Sequence, residues 1–372
     1  MEAFNTGRSL AIAKDCLGRL ELDLDGLCVL TECASNAYAF TPVIAALGGA
    51  KVLAVGRNSK FGRFEENKFY AQQLLELSGA TGSIEFFEDG LPDNKWREAD
   101  IITNSGFLRP FTKEKVDKMN SRAVVCLMWE TWEIREGEID IKACQQRKIP
   151  VIGTNENYKD ANMYSYPGML CLKLLFEMGL EVANNSFVLL GEGLTGSLIA
   201  KTLRQIGIDF DWFVESVDKY QVQGPCKHYR ELPSVLERNR IDAIICADHV
   251  SRKSPLGRSG FLDLVTLRKK FPAIRWAHLT GPVDSLELKE SDMPFLPKNI
   301  QPVGFMTYES HVLGWEPVIM LNCAGLKVGE LGARARKKKL SVEQSIKSAV
   351  DHGIGQDFEG GFMNFKLAEE NQ

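Results

Sequence analysis

The stretch from Ser186 to Glu215, SFVLLGEGLTGSLIAKTLRQIGIDFDWFVE, constrains the fold more than any other part of the chain. A short apolar run leads into G-x-G-x-x-G at Gly191, Gly193 and Gly196, and a helical pattern starts inside the motif. In a strand–turn–helix of this kind the first glycine permits the tight turn and the second lets backbone approach a diphosphate. The third allows close helix–strand packing. Free N–H groups and the dipole at the helix N-terminus then favour negative charge. Glu215 closes the next apolar run, where a carboxylate accepts hydrogen bonds from ribose hydroxyls and repels a 2′-phosphate; Asp218 is its nearby competitor. The expected cofactor is therefore NAD rather than NADP, held at Gly191, Gly193, Leu194, Thr195, Gly196 and Glu215. S-adenosylmethionine enzymes also pair a glycine-rich turn with an acid, and are the rival for this motif taken alone.

The rest of the chain supports an α/β architecture. Apolar runs at LCVL (from Leu27), AKVLAVG, SIEFFED, ADIITNSG, AVVCLMW and IPVIGTN are separated by helical patterns, including Phe64 to about Ser78 and helices from Thr112 and Ile139. Such interleaving reads as βαβ units on a parallel sheet. A parallel sheet is covered on both faces, so its strands are continuously apolar rather than alternating. A helical connector runs from about Asn157 to Met178, and a second βαβ series begins at Ser186 with FVLL, DWFVE, IDAIICA and IRWAHL. Helical patterns from Leu313 towards Lys339 and from Val342 complete the chain. The expectation is two Rossmann-like, doubly wound parallel-sheet domains with a cleft between them and a C-terminal helical return. Residues 1–155 with 311–372 would form the substrate domain and residues 156–310 the NAD domain.

Length and composition bound the partners. At 372 residues the chain is too long for one core. Its net charge of -4 makes no electrostatic case for nucleic acid or an anionic membrane. The one dense basic run, ARARKKKL, is expected to be a solvated helix face. No apolar run reaches the roughly 20 residues needed to span a bilayer. The opening MEAFNTGRSLAIAKDCLG lacks the apolar core of a signal peptide. Nine cysteines without a C-x-x-C pair suit a reduced compartment, so a cytoplasmic protein without structural metal is expected.

Laid out this way, roughly Asp100 to Glu330 resembles the formate/glycerate dehydrogenase superfamily, which includes the 2-hydroxy acid dehydrogenases and, more distantly, S-adenosylhomocysteine hydrolase. Four stretches carry the likeness: ADIITNSGFLRPFTKEKVDKM, GEIDIKACQQRKIPVIGTNENYKDA, FLDLVTLRKKFPAIRWAHLTGPVDSLEL and ESHVLGWEPVIMLNCAGLKVGE. The resemblance implies that Asn104, Ser105 and Gly106 hold the substrate and that His311 is the acid/base, with Glu309 standing in for its orienting carboxylate. It also implies a homodimer. Thr280–Gly281 stands where these dehydrogenases carry an arginine–glycine pair that binds and polarises a keto acid. TNENYKDANMY is similar to the lysine- and aspartate-bearing turn of the hydrolase, placing Lys159 and Asp160.

Other residues carry two readings each. His311 could move a hydroxyl proton near neutral pH, or could be a buried or capping histidine. Lys159 could be a base or anion binder, or a surface lysine. Glu130 ends an apolar run where ligands approach open α/β sheets, or only enters a helix. Ala247 and Asp248, with His249, follow IDAIICA and by position flank the nicotinamide ribose, or form a plain loop. Arg57, Lys60 and Arg63 could clamp an anion or be solvated, and His278 reads as a core histidine. The expected activity is NAD-dependent oxidation or reduction at an alcohol or carbonyl carbon of a small polar substrate. The alternatives are an NAD-retaining hydrolase or lyase and a non-catalytic nucleotide-binding subunit.

Overall fold

Strands buried on both faces need helices on both sides, and the computed structural model, which describes residues 3–367, provides them in two units. One unit runs to Met163 and resumes at Trp315; the other is Tyr164–Gly314.

The first unit is built on β1 (Cys28–Glu32), β2 (Lys51–Gly56), β3 (Ser83–Glu88), β4 (Ile101–Thr103), β5 (Val124–Cys126) and β6 (Val151–Thr154). A short strand at Gly355–Gln356 adds antiparallel to β6, giving the order 355–356, β6, β5, β4, β1, β2, β3. All other pairs are parallel. The central strands are wholly buried, whereas the edge strand β3 is only partly covered.

Helix Glu316–Lys337 lies across β4, β5 and β6. Its glycines face the sheet, and their missing side chains set the approach. A Cβ at Gly325 would come within 2.6 Å of Met128 Cε, one at Gly329 within 2.6 Å of Ile101 Cγ2, and one at Gly332 within 2.9 Å of Ile152 Cδ1. The basic run at its end is not simply solvated. Arg334 pairs with Asp23 and Glu330, Arg336 donates to the Ser121 and Lys148 carbonyls, and Lys337 pairs with Asp100. Lys337, Lys338 and Lys339 are exposed. Helix Ala3–Arg19, which sequence periodicity did not reveal, buries Leu10, Ala13 and Cys16 and packs on this same helix.

The second unit carries β7 (Ser186–Leu190), β8 (Asp209–Val214), β9 (Lys227–His228), β10 (Ala243–Ala247), β11 (Arg275–Thr280) and β12 (Phe295–Leu296). Their order is β12, β11, β10, β7, β8, β9, all parallel. Apolar side chains cover both faces, with Phe187, Leu189 and Trp212 in one cluster and Val188, Leu190 and Trp276 in the other.

The two sheets share one local device. Before β4, Asp100 accepts from the Cys28 amide at the start of β1 (3.0 Å). Before β10, Asp242 accepts from the Ser186 amide at the start of β7 (2.8 Å). Each carboxylate also meets a cation, Lys337 or Arg240. A buried strand start has an amide that needs an acceptor, and the neighbouring strand supplies it.

Candidate functional site

The glycine turn sits where β7 delivers the chain to helix Leu194–Gln205. Each glycine has a separate steric reason. A Cβ on Gly191 would meet Trp212 Nε1 at 2.9 Å and Gly196 Cα at 3.0 Å, and one on Gly196 would run into the Gly191 carbonyl. Gly193 has φ +93°, and a Cβ there would overlap the His249 ring and lie 2.7 Å from Val250 Cγ2. Among the described residues no side chain caps the helix that follows, so the amides of Leu194, Thr195 and Gly196 open the helix without a side-chain acceptor there. Trp212 Nε1 donates to the Gly191 carbonyl (3.2 Å), and the Gly193 amide donates to the Tyr220 hydroxyl (2.9 Å).

Glu192, the variable residue between the first two glycines, is 4% exposed. Its Oε2 accepts from the Glu215 and Ser216 amides at 2.9 and 3.3 Å. The turn thereby holds the end of β8 and presents the Glu215 side chain, which is over half exposed with Oε1 3.6 Å from His228 Nε2. Asp218 stands exposed on the short helix Val217–Tyr220.

Facing the turn, β10 ends at the buried Ala247, and Asp248 follows at 1% exposure. Asp248 gathers three donors: the Tyr229 hydroxyl at 2.5 Å and the amides of Val250 and Ser251 at 3.0 and 2.9 Å. Burial and the neighbouring Asp248 charge hold the Tyr229 phenol far above its ordinary pKa. Burial lowers the pKa of the His249 imidazole against Gly193; the Lys219 charge lowers it further and Asp248 opposes. Gly281 has φ +114° and passes so close to the Asp248 carbonyl that no side chain fits. Thr280 is 1% exposed, and its hydroxyl donates to the Phe305 carbonyl at 3.1 Å. His278 is wholly buried and accepts at Nδ1 from Trp276 Nε1 (3.2 Å). His311, in the turn Ser310–Leu313, is 47% exposed, with Nδ1 3.2 Å from Glu309 Oε2.

In the first unit the loop after β4 is largely tied up, Asn104 Nδ2 being the buried donor without a partner among the described residues. Asn104 is fully buried and its Oδ1 accepts from the Met128 amide (2.8 Å). Ser105 Oγ bonds Thr103 Oγ1 (2.7 Å). Gly106 lies against Glu32. Glu130 is 3% exposed; Oε2 accepts from Trp132 Nε1 (2.6 Å) and Oε1 from the Glu156 amide (3.3 Å). Sequence reading did not find its company. Glu133 and Glu156 share the cluster, and burial together with the other carboxylates pushes Glu133 up to about 7 and raises Glu156. Lys159 is 80% exposed, with only a 3.8 Å approach to Asp160. The loop cations Arg57, Lys60 and Arg63 are all exposed, and Arg57 lies over the Phe107 ring at 5.2 Å. Among the described residues no group of His, Cys, Asp and Glu could hold a metal ion, and no helix is long and apolar enough to cross a membrane.

No family model matches the chain, and no curated protein matches it in sequence. Solved structures do match. A dipicolinate synthase chain from Bacillus subtilis aligns at a TM-score of 0.53 and 13% identity, over 86% of this chain and 99% of its own. Its counterpart from Bacillus halodurans, also a dipicolinate synthase chain, aligns at 0.48 and 12%, over 84% and 99%. An NAD-dependent formate dehydrogenase from Staphylococcus aureus, in complex with NAD, aligns at 0.39 and 13%, over 81% and 93%. At these identities the likeness is one of fold. This chain has the two-unit, parallel-sheet α/β fold of the Bacillus subtilis protein over almost all of that protein's length.

Proposed function

We propose that the second unit binds NAD and that the protein is an NAD-dependent oxidoreductase acting on an alcohol or carbonyl group of a small polar substrate. One observation carries the reading: a buried strand feeds an uncapped helix through glycines that admit no side chain, beside a strand ending in an exposed carboxylate. In this reading the amides of Leu194, Thr195 and Gly196 hold the diphosphate, with Lys219 adding positive charge nearby. Glu215 takes the adenosine ribose hydroxyls. Ala247, Asp248, Thr280 and Gly281 form the wall of the nicotinamide half. The bound nicotinamide would supply hydride acceptance or donation. His311, with Glu309 at Nδ1, would move the hydroxyl proton through Nε2. Asn104, Ser105 and Gly106 would border the substrate; Asn104 Oδ1 and the Ser105 hydroxyl are committed internally, and Asn104 Nδ2 has no hydrogen-bond partner among the described residues. Glu130 and Lys159 are the further catalytic candidates. A small-molecule substrate, a cytoplasmic setting, a homodimer and no nucleic-acid partner complete the proposal; light scattering measures the dimer.

The test is titration of the purified protein with NADH, NADPH and S-adenosylmethionine, with mass spectrometry of any co-purifying small molecule. NADH binding tighter than NADPH is expected, and binding of S-adenosylmethionine alone would overturn the reading. Thr280, which leaves no cation where a keto-acid enzyme needs one, favours a second reading as a nucleotide-binding subunit without turnover. NADH binding with no activity on any alcohol, aldehyde or ketone would select it.

A further inference from the structure

In the first sheet the chain winds away from β1 in two directions, through β2 on one side and β4 on the other. Open α/β sheets take ligands at the carboxyl ends of the strands flanking such a point. Here that place is filled from within. Glu32, the last residue of β1, is 7% exposed, and its Oε2 accepts from the Phe107 amide at 3.0 Å. Burial raises the pKa of the Glu32 carboxyl; the Phe107 amide, the Arg109 guanidinium, the Gly106 amide and the Arg57 guanidinium oppose that shift. Arg109 is itself fixed by Glu138 and by the Trp129 ring beneath it, 4.7 Å away. Gly106 borders the carboxylate: a Cβ there would lie in ordinary contact with Glu32 Oε2, at 3.6 Å.

Two adjacent backbone amides in a glycine-containing turn, backed by guanidinium, form a carboxylate-recognition nest. We propose that the loop Ser105–Arg109 is such a nest occupied by the chain's own Glu32, and that the first unit therefore acts on an alcohol or carbonyl compound bearing no carboxylate beside its reacting carbon. A ligand carboxylate brought here would face Glu32 at short range, and two like charges that close disfavour each other strongly. The nest stands on the Phe107 amide bond to Glu32 and on the approach of Gly106 to the same oxygen; the substrate class rests on the oxidoreductase reading.

The experiment uses the full chain with Glu32→Ala and Glu32→Gln, and sodium acetate as the probe against acetamide and sodium chloride at equal ionic strength. Thermal midpoint and calorimetric titration are the readouts. Glu32→Ala is expected to lose stability and to recover it saturably with acetate only. Wild type and Glu32→Gln, whose side chains fill the nest, should not respond to acetate beyond the salt control. An acetate effect equal in wild type and Glu32→Ala would overturn the nest, as would a Glu32→Ala protein that acetate neither stabilises nor helps to fold. Turnover of wild type on an aldehyde and on the 2-oxo acid of equal chain length tests the substrate class. About a hundredfold preference for the aldehyde is expected, and preference for the oxo acid would overturn it. Absence of turnover on both defeats the oxidoreductase reading while leaving the acetate result intact.

Discussion

His278, wholly buried, and Glu133, half-buried, are titratable groups whose environments push stability in opposite directions with pH. Desolvation lowers the His278 imidazole to about 4, and the bond from Trp276 Nε1 requires Nδ1 to be unprotonated. A folded-state pKa below the unfolded one means that the folded protein binds fewer protons. The contribution is thus fully present above about 6.5 and is lost as pH falls towards 4, by about 3 kcal/mol at most. His278→Gln should flatten that acid limb in urea unfolding measured from pH 7 to pH 4.5. Glu133 behaves oppositely. Raised to about 7 by burial, then by Glu130 and Glu138 against Arg135, it binds a proton more readily in the folded protein. Its contribution is present below about 4.5 and lost as pH rises through 7. Glu133→Gln keeps an oxygen for the Glu130 amide and should gain about 1–3 kcal/mol over wild type at pH 8. At the glycine turn, Glu215→Gln should narrow the preference for NADH over NADPH and leave the fold unchanged, because this carboxylate is largely in water. Equal discrimination by the variant would move the role to Asp218.

Helix Glu316–Lys337 shows what an element adds that its residues do not. Judged by propensity alone, Gly329→Ala should stabilise an isolated helix by about 1 kcal/mol. Against this sheet the added methyl meets Ile101 Cγ2 at 2.6 Å and Cys126 Sγ at 3.2 Å. A net loss of about 1–3 kcal/mol in chemical denaturation is expected instead. Strands were legible in the sequence because burial on both faces leaves an unbroken apolar run, as in Val124–Cys126 and Ser186–Leu190. Helix Ala3–Arg19 was not, because polar residues interrupt its apolar stripe and its buried face is defined only by the C-terminal helix on which it packs.

At the scale of the whole molecule, two units with separate cores should not unfold as one two-state system. NADH at a hundred times its Kd should stabilise the unit that binds it by about 2.7 kcal/mol. Hydrogen exchange should then show added protection in residues 164–314, starting around the glycine turn. Protection confined to the other unit would remove the cofactor assignment from the turn.

Chain order and side-chain period alone determined the α/β class, the two βαβ series and the turn at Gly191, Gly193 and Gly196. Those features depend on neighbours in sequence, whose geometry a residue pattern encodes directly. The tertiary structure decided which polar groups meet. Glu32 reaches the amides of Gly106 and Phe107, Asp248 collects the Tyr229 hydroxyl, and Glu130, Glu133 and Glu156 come together. A buried carboxylate must find donors wherever the fold places them, and for Glu32 and Phe107 that means crossing between neighbouring strands from positions 75 residues apart in sequence. No local pattern records such a pairing, so the glycine turn could be read from sequence and the occupied nest could not.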